Sequence, residues 1–198
     1  MRRAAVEGRD DSGLIAGILL AAGLSRRYGR QKLLEMVEGE PLVRRAARMF
    51  VAAGLSPVVV VVSPEPALRQ ALEGVPATVV ENNQPELGIS RSIARGLQTL
   101  RVGVAAALIG VCDQPALTEE GIRPVLAAYQ EGQIVVPDYG DHRGNPVLFD
   151  RAFFGELCQL EGDTGGQAVI ARHPDRVIAV SLPSSMGRDV DRPEDWER

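Results

Sequence analysis

The chain has 198 residues, of which 45% are hydrophobic and 24% are charged, and its formal net charge is −4. A chain of this length fits one domain with a sizeable core. Proteins whose main task is to bind nucleic acid usually have an excess of basic residues. The net negative charge therefore argues against that class of protein, but it does not exclude a local basic pocket.

The cysteines and the N-terminal residues bear on the cellular compartment that we expect for this chain. Cys112 and Cys158 form no C-x-x-C pair, so the pattern predicts neither a disulfide framework nor a zinc site. We therefore expect a reducing cytoplasm. No apolar run reaches the roughly 18 residues of a membrane span, and residues 1–12 lack the apolar core of a signal peptide. We interpret residues 1–12 as a loose tail before a single domain over residues 13–198.

Short apolar runs alternate along the first half of the chain with segments of helical periodicity. The runs predict buried strands at residues 14–21, 57–62 and 77–81. The second run contains five consecutive valines, a composition typical of a strand that is covered on both faces. Between the runs, Pro41 begins a predicted helix that ends at Gly54, and residues 64–72 predict a shorter one.

The second half continues this alternation. Ile89, Ile93 and Leu97 recur at helical spacing after Gly88, which predicts a helix. Thr118 is the predicted N-cap of another helix. Further strands are predicted at residues 105–111, 134–137, 147–149 and 177–181, and further helices from about residues 151 and 164. Such alternation predicts a single three-layer α/β/α domain with a mainly parallel, Rossmann-like sheet.

A basic loop that contains glycine follows the first predicted strand, at the sheet edge where ligands bind. Its sequence over residues 20–32 is LAAGLSRRYGRQK. Glycines let backbone N–H groups approach a phosphate closely, and arginine and lysine neutralise phosphate charge. The loop contains neither the Walker motif nor the dinucleotide fingerprint. It is therefore a candidate phosphate site, and a solvated basic loop is the alternative interpretation.

The pattern L-A-A-G-x-S-x-R-x-G-x-x-K in this loop resembles the signature of nucleotidyltransferases that activate sugars, sugar-like acids and molybdopterin. In detail it is similar to the branch that contains molybdenum cofactor cytidylyltransferase. The resemblance extends from about residue 14 to the chain end and implies the fold of nucleotide-diphospho-sugar transferases, with a loop that wraps the triphosphate. The implied nucleotide contacts are Ala21, Ala22, Gly23, Ser25, Arg27 and Lys32. Catalytic roles are implied for Arg27 and Lys32, and Tyr28 stands where this branch usually has methionine.

Two acidic elements are candidate ligands of Mg²⁺, which takes one or two carboxylates plus phosphate oxygens. Asp113 follows the predicted strand at residues 105–111, and Asp-Gln-Pro here resembles the family's metal-binding, catalytic aspartate. An ordinary turn is the alternative, because Asp and Pro both favour turns. Asp189 and Asp191 alternate in an extended segment and so point the same way. The family's terminal motif implies that Asp191 is the ligand, while a helix start with solvated acids is the alternative.

The resemblance also implies which residues select the base. Family members with Leu-Ala-Gly-Gly tend toward guanine and those with Ala-Ala-Gly toward cytosine, so Ala22 favours CTP. Ser90 and Ser92 lie in a segment similar to a family motif at a helix start, which implies contacts with the base and ribose. Capping of the helix by Ser90 is an equally good interpretation.

The acceptor side departs from the family pattern at two positions. Residues 143–147, Arg-Gly-Asn-Pro-Val, resemble a family segment with histidine in place of Asn145. Residues 162–167 resemble a second family loop with arginine in place of Gln167. Both replacements remove a group that can carry positive charge, which puts the acceptor's identity in doubt. The resemblance implies acceptor contacts from Arg143, Asn145 and Asp163.

Together these features predict a Mg²⁺-dependent nucleotidyltransferase. It would move a nucleoside monophosphate, with CTP favoured, to the phosphate of a molybdopterin-type cofactor and release pyrophosphate. The alternatives are transfer to another small phosphate, such as a sugar 1-phosphate, and a non-catalytic cofactor-binding maturation factor for a molybdoenzyme. A molybdoenzyme or maturation protein is a compatible partner, whereas nucleic acid and membrane are not expected partners.

Overall fold

The fold is built on one large sheet flanked by helices. The computed structural model describes residues 13–197, so the interpretation of residues 1–12 as a tail lies outside the described residues. The strands are β1 (Ile15–Ala21), β2 (Met36–Val37), β3 (Glu40–Pro41), β4 (Val58–Val62), β5 (Thr78–Glu81), β6 (Ala106–Val111), β7 (Ile134–Asp138), β8 (Val147–Asp150) and β9 (Val177–Ser181).

The helices connect these strands and cover both faces of the sheet. The α-helices are α1 (Leu42–Ala52), α2 (Pro66–Ala71), α3 (Ile89–Thr99), α4 (Glu119–Ala127), α5 (Phe154–Cys158) and α6 (Gln167–Arg172). Short 3-10 helices occur at Lys32–Leu34, Pro85–Leu87, Arg151–Phe153, Pro174–Arg176, Ser184–Gly187 and Pro193–Glu197. In the described part of the chain, no helix is long and apolar enough to cross a membrane.

Seven strands form the sheet, in the order β5–β4–β1–β6–β8–β7–β9. All neighbouring pairs are parallel except those of β8, which runs antiparallel to both β6 and β7. The prediction of a mainly parallel α/β sheet is therefore confirmed. The central strand β1 pairs with β4 on one side and β6 on the other, so the loops after these strands begin at one edge.

Alternating side chains of the central strands divide the core into two layers. Leu19 and Val60 belong to a cluster with Phe50 of α1 on one face. Ile18 belongs to a second cluster with Ile93 of α3 on the other face. Successive residues of a strand point to opposite faces, so strands buried on both faces need the continuous apolar runs seen in the sequence.

Several element boundaries differ from the predictions. The helix predicted from about residue 164 begins at Gln167, and the segment after residue 151 forms a 3-10 helix before α5. The ribbon of β2 and β3 was not predicted, because two-residue strands leave no periodic signal. Gly88 is the N-cap of α3, with φ of 93°, so the interpretation of Ser90 as the cap is wrong.

Candidate active site

The site begins where β1 and β6 end side by side. Leu20 lies opposite Val111 in the parallel register of these strands. The glycine-containing loop leaves β1 at this point, and the loop that carries Asp113 leaves β6. Parallel pairing thus brings together two motifs that are separated by about 80 residues in sequence, as expected for the ligand-binding edge of such a sheet.

Ser25 organises the loop after β1 from within. It has φ of 47°, and its carbonyl accepts hydrogen bonds from the N–H groups of Tyr28 and Gly29 at 3.0 and 3.1 Å. Its hydroxyl donates to Gln31 Oε1 at 3.1 Å and accepts from the backbone N–H of Lys32 at 3.4 Å. These contacts fold the loop back on itself, so Lys32 returns to the carboxyl edge of the sheet.

The Lys32 ammonium joins the two acidic elements. Its Nζ donates to Asp113 Oδ2 at 2.6 Å, to Asp191 Oδ1 at 3.2 Å and to the backbone carbonyl of Val190 at 2.8 Å. An ammonium has three N–H donors, so all of its donors are used. Contact with a phosphate would therefore require Lys32 to share or release one of these partners.

The surroundings of Lys32 keep it charged. Its side chain is only 12% exposed, and this burial acts to lower its pKa. Attraction to Asp113, together with the hydrogen bonds to both aspartates, outweighs burial and raises the pKa. The ammonium is thus a permanent positive charge at the sheet edge, as neutralisation of a triphosphate demands.

The C-terminal segment supplies Asp191 to this cluster. The Val190 N–H donates to the Asp113 carbonyl at 2.9 Å, which docks the segment beside the β6 loop. Asp191 Oδ2 also accepts from Arg27 at 2.8 Å. Asp189 lies at the surface, and partial desolvation together with the charge of Asp113 raises its pKa to about 6. The structure therefore brings Asp191, and not Asp189, to Lys32 and Arg27.

The oxygen atoms of this cluster fit a divalent cation. Asp113 Oδ1 is buried and has no hydrogen-bond partner among the described residues, and the same holds for Gln114 Oε1. Buried polar atoms normally have partners, and carboxylate oxygens are ligands that Mg²⁺ prefers. Within residues 13–197, no group of three or more His, Cys, Asp or Glu residues is placed to hold a metal. Asp113 and Asp191, each with one oxygen bound to the Lys32 ammonium, are the two carboxylates of this edge that could contribute to a metal that also takes phosphate oxygens.

A cavity of about 570 Å³ opens above these residues. One wall is the basic loop over residues 22–28 with Lys32, and the opposite wall is formed by residues 85–89, 162 and 163. Of the predicted site residues, the cavity is lined by Ala22, Gly23, Ser25, Arg27, Lys32, Ser92, Asp113, Asp163 and Asp191. A second cavity, of about 480 Å³, lies beside α1 and shares no residue with the first.

Four predicted site residues do not line this cavity: Ala21, Ser90, Arg143 and Asn145. Ala21 is fully buried in β1. Arg143 is exposed, with its Nε 3.9 Å from Asp138 Oδ2. The backbone carbonyl of Asn145 accepts a hydrogen bond of 2.5 Å from the Tyr139 hydroxyl. The Arg143 side chain and the Asn145 carbonyl thus contact residues at the end of β7 and in the segment that follows it.

The wall opposite the basic loop contains contacts that the sequence did not reveal. Ser90 donates its hydroxyl hydrogen to the carbonyl of Gly162 at 2.7 Å. A Cβ added to Gly88 would lie 2.2 Å from the same carbonyl oxygen, so glycine is required there. Asn82, which is buried, donates to the Ser92 hydroxyl at 3.0 Å. Only the glycine could have been suspected from sequence, because the Ser90–Gly162 contact joins segments 72 residues apart and the Asn82–Ser92 contact joins a loop to a helix.

A search of protein-family models matches residues 17–177 to the MobA-like NTP transferase domain. Among curated proteins, the nicotine blue oxidoreductase of Paenarthrobacter nicotinovorans is 28% identical and the alignment covers 96% of this chain and 98% of that protein. A probable molybdenum cofactor guanylyltransferase of Synechococcus elongatus is 32% identical, over 62% of this chain and 61% of the relative. The chain thus spans less than two thirds of that relative's length.

Solved structures share the architecture. Rv0371c from Mycobacterium tuberculosis is 26% identical and superposes with a TM-score of 0.82, covering 93% of this chain and 96% of that one. A manganese complex of the same protein superposes with a TM-score of 0.77 at the same coverage. Both agree with the fold derived above, and the family match covers the glycine-containing loop, Lys32 and Asp113.

Proposed function

Since the chain belongs to the MobA-like NTP transferase domain family and is a nucleotidyltransferase, we propose that it transfers a nucleoside monophosphate from CTP to the phosphate of a molybdopterin-type cofactor. The observation that carries the proposal is the Lys32 ammonium, held by Asp113 and Asp191 at the base of a cavity walled by the basic loop. This arrangement combines phosphate-binding cations with carboxylates at one sheet edge.

The basic loop suits the triphosphate. Gly23 lines the cavity and carries no side chain that would keep a phosphate from the backbone. Arg27 is 71% exposed on its side chain and can reach a ligand without a cost of burial. Lys32 brings a second positive charge from the floor of the cavity. In this role, Arg27 and Lys32 stabilise the charge that develops on pyrophosphate as it leaves.

Asp113 and Asp191 are the residues that would hold Mg²⁺. When bound, the cation would neutralise charge on phosphate oxygens and draw them into position. Asp113 Oδ1, which is buried and has no donor among the described residues, supports this role, because carboxylate oxygens are ligands that a hard cation prefers. The manganese complex of Rv0371c supports a divalent metal in a relative of this fold.

The reaction needs no covalent enzyme intermediate. An oxygen of the acceptor phosphate forms a bond with the α-phosphorus, and the bond from that phosphorus to the β-phosphate oxygen breaks. The leaving pyrophosphate takes the electron pair of the broken bond. The protein contributes by holding the two reactants in line and by neutralising charge.

Ala22 supports cytosine as the base. It lines the cavity and is 6% exposed, so its methyl group narrows the space next to Gly23. A purine needs more room than a pyrimidine, and glycine at this position would provide it. The relatives named as guanylyltransferases make GTP the competing donor, so the donor assay must include both nucleotides.

The test is pyrophosphate release with CTP, GTP, ATP and UTP in Mg²⁺, each with and without molybdopterin-type cofactor. Release with CTP that requires the cofactor supports the proposal. Release with GTP instead would overturn the choice of base. Nucleotide binding without any release, over an acceptor panel, would favour the non-catalytic maturation factor.

A sugar 1-phosphate is the second candidate acceptor. The observation that favours it is the loss of positive charge on the acceptor side, where Asn145 and Gln167 stand and Arg143 lies outside the cavity. A panel of sugar 1-phosphates belongs in the same assay. Because one relative is named as an oxidoreductase, oxidation of added NADH and NADPH is followed in parallel.

A further inference from the structure

The C-terminal segment touches the basic loop at a second point, beyond the Arg27–Asp191 ion pair. The indole N–H of Trp196 donates to the Tyr28 hydroxyl at 2.8 Å, across 168 residues of sequence. Tyr28 is 7% exposed, and Trp196 is 36% exposed. The contact therefore joins a residue that is anchored in the loop to one at the edge of the C-terminal 3-10 helix (Pro193–Glu197).

Trp196 is rigidly connected to Asp191. Asp195 Oδ2 accepts from the backbone N–H groups of Asp191 and Arg192 at 3.0 and 2.8 Å, and the Asp195 N–H donates to the Arg192 carbonyl. These bonds close a compact turn. A displacement of Trp196 would therefore move the Asp191 carboxylate as well.

Tyr28 is connected to Arg27, which is the other member of the ion pair with Asp191. It follows Arg27 directly in sequence, and its N–H is tied to the carbonyl of Ser25 in the loop turn. The ion pair between Arg27 and Asp191 is exposed on both sides, at 71% and 43%. Exposed pairs contribute little by themselves. Lys32 holds the segment at the end of the loop, through Asp191 and the Val190 carbonyl, and the bond of Tyr28 to the indole is the contact that holds it next to Arg27.

We propose that Tyr28 and Trp196 are positioning residues that latch the C-terminal segment onto the basic loop and so hold Asp191 against Lys32 and Arg27. The proposal deepens the proposed function, on which its kinetic consequence rests. It also gives a reason why tyrosine stands at position 28, where the similar family branch usually has methionine. A methionine there would have no hydroxyl to accept a hydrogen bond from the indole.

The kinetic test compares Y28F, W196F and the double variant in pyrophosphate release with CTP, Mg²⁺ and a saturating concentration of the molybdopterin-type acceptor. Loss of one hydrogen bond corresponds to about a threefold to tenfold change, and we expect it in KM for MgCTP, with kcat changed less. Because both variants break the same bond, the double variant should be no worse than either single one. Additive effects, or an unchanged KM in Y28F, would overturn the latch.

Y129F is the matched control, because it also removes a tyrosine hydroxyl, whose bonds to Asp150 at 2.8 Å and to the Ala105 carbonyl at 3.4 Å lie away from the cavity. Its KM for MgCTP should equal that of the wild type. Thermal unfolding of all variants shows whether a change in KM reflects loss of fold. A KM that rises equally in Y129F would mean a general loosening and would also overturn the latch.

A second readout needs no turnover. Trp196 is the only tryptophan of the chain, so its fluorescence reports on the latch directly. Without ligand, acrylamide should quench Trp196 more strongly in Y28F than in the wild type, and equal quenching would overturn the latch. If the wild type releases no pyrophosphate, the proposed function fails, and the quenching comparison still decides whether the latch exists.

Discussion

The two walls of the cavity are held in different ways. On the nucleotide side, Lys32, Asp113 and Asp191 come from three distant parts of the chain, and both carboxylates accept from the Lys32 ammonium. On the acceptor side, Arg143 and Asn145 contact only their own segment in the bonds described above, and Asp163 is the one predicted acceptor residue in the cavity wall. Site residues at the ends of parallel strands can therefore be predicted from sequence motifs more easily than site residues that loops bring together.

Lys32→Met should produce the largest loss, because it removes the charge shared by Asp113 and Asp191. We expect pyrophosphate release to fall by about 10²- to 10³-fold, as for loss of one electrostatic stabiliser. Arg30→Met is the control, since Arg30 belongs to the same loop but pairs with Glu35 outside the cavity. If Lys32→Met were about as active as the wild type, the cluster of Lys32, Asp113 and Asp191 would not be the nucleotide site.

Asp191→Asn should rank next, and Asp189→Asn is its control two residues away. Asp191 meets Lys32 and Arg27 and lines the cavity, whereas Asp189 does not line it. We expect the Mg²⁺ concentration for half-maximal activity to rise on the order of tenfold or more for Asp191→Asn. A larger effect of Asp189→Asn would reverse the assignment of these two carboxylates.

Ser90→Ala probes the contact that joins the two segments of the wall opposite the basic loop. It removes one of two donors to the Gly162 carbonyl, which keeps the backbone N–H of residue 90 at 3.4 Å, so the free energy of unfolding in urea should fall by about 0.5–1.5 kcal/mol. The acceptor KM should rise more than the KM for CTP, because the Asp163 loop loses its anchor. Thr99→Val, in the same helix, removes a hydroxyl bond to its own helix and should cost less. An equal rise in the KM for CTP and the KM for the acceptor would show that this wall does not serve the acceptor alone.

Arg143→Ala should have the smallest effect. Arg143 is exposed, and its nitrogen lies 3.9 Å from Asp138, a pair worth about 0–1 kcal/mol. From its place outside the cavity we expect an acceptor KM within about twofold of the wild type. A tenfold rise would mean that the acceptor extends beyond the cavity, and the role that the resemblance implies for Arg143 would be supported.

The pattern of residues was enough to predict the fold class, and together with the family resemblance it predicted the candidate residues on the nucleotide side. Runs such as the five valines of β4 can only be satisfied by burial on both faces, and strand–helix alternation then predicts a parallel sheet. The carboxyl ends of adjacent parallel strands meet at one edge. For this reason the loop of Lys32 and the position of Asp113 could be linked before any distance was known.

The contacts made by loops became visible only in the folded protein. The choice between Asp189 and Asp191 had rested on resemblance alone, because alternation in an extended segment gives both the same direction, whereas docking of Val190 on Asp113 sets which one meets Lys32. Ser90 served neither as the helix cap nor as a cavity residue, since Gly162 takes its hydroxyl. The bond between Tyr28 and Trp196 likewise has no local sequence signal. Loop contacts depend on where distant segments come to rest, and local periodicity carries no information on that.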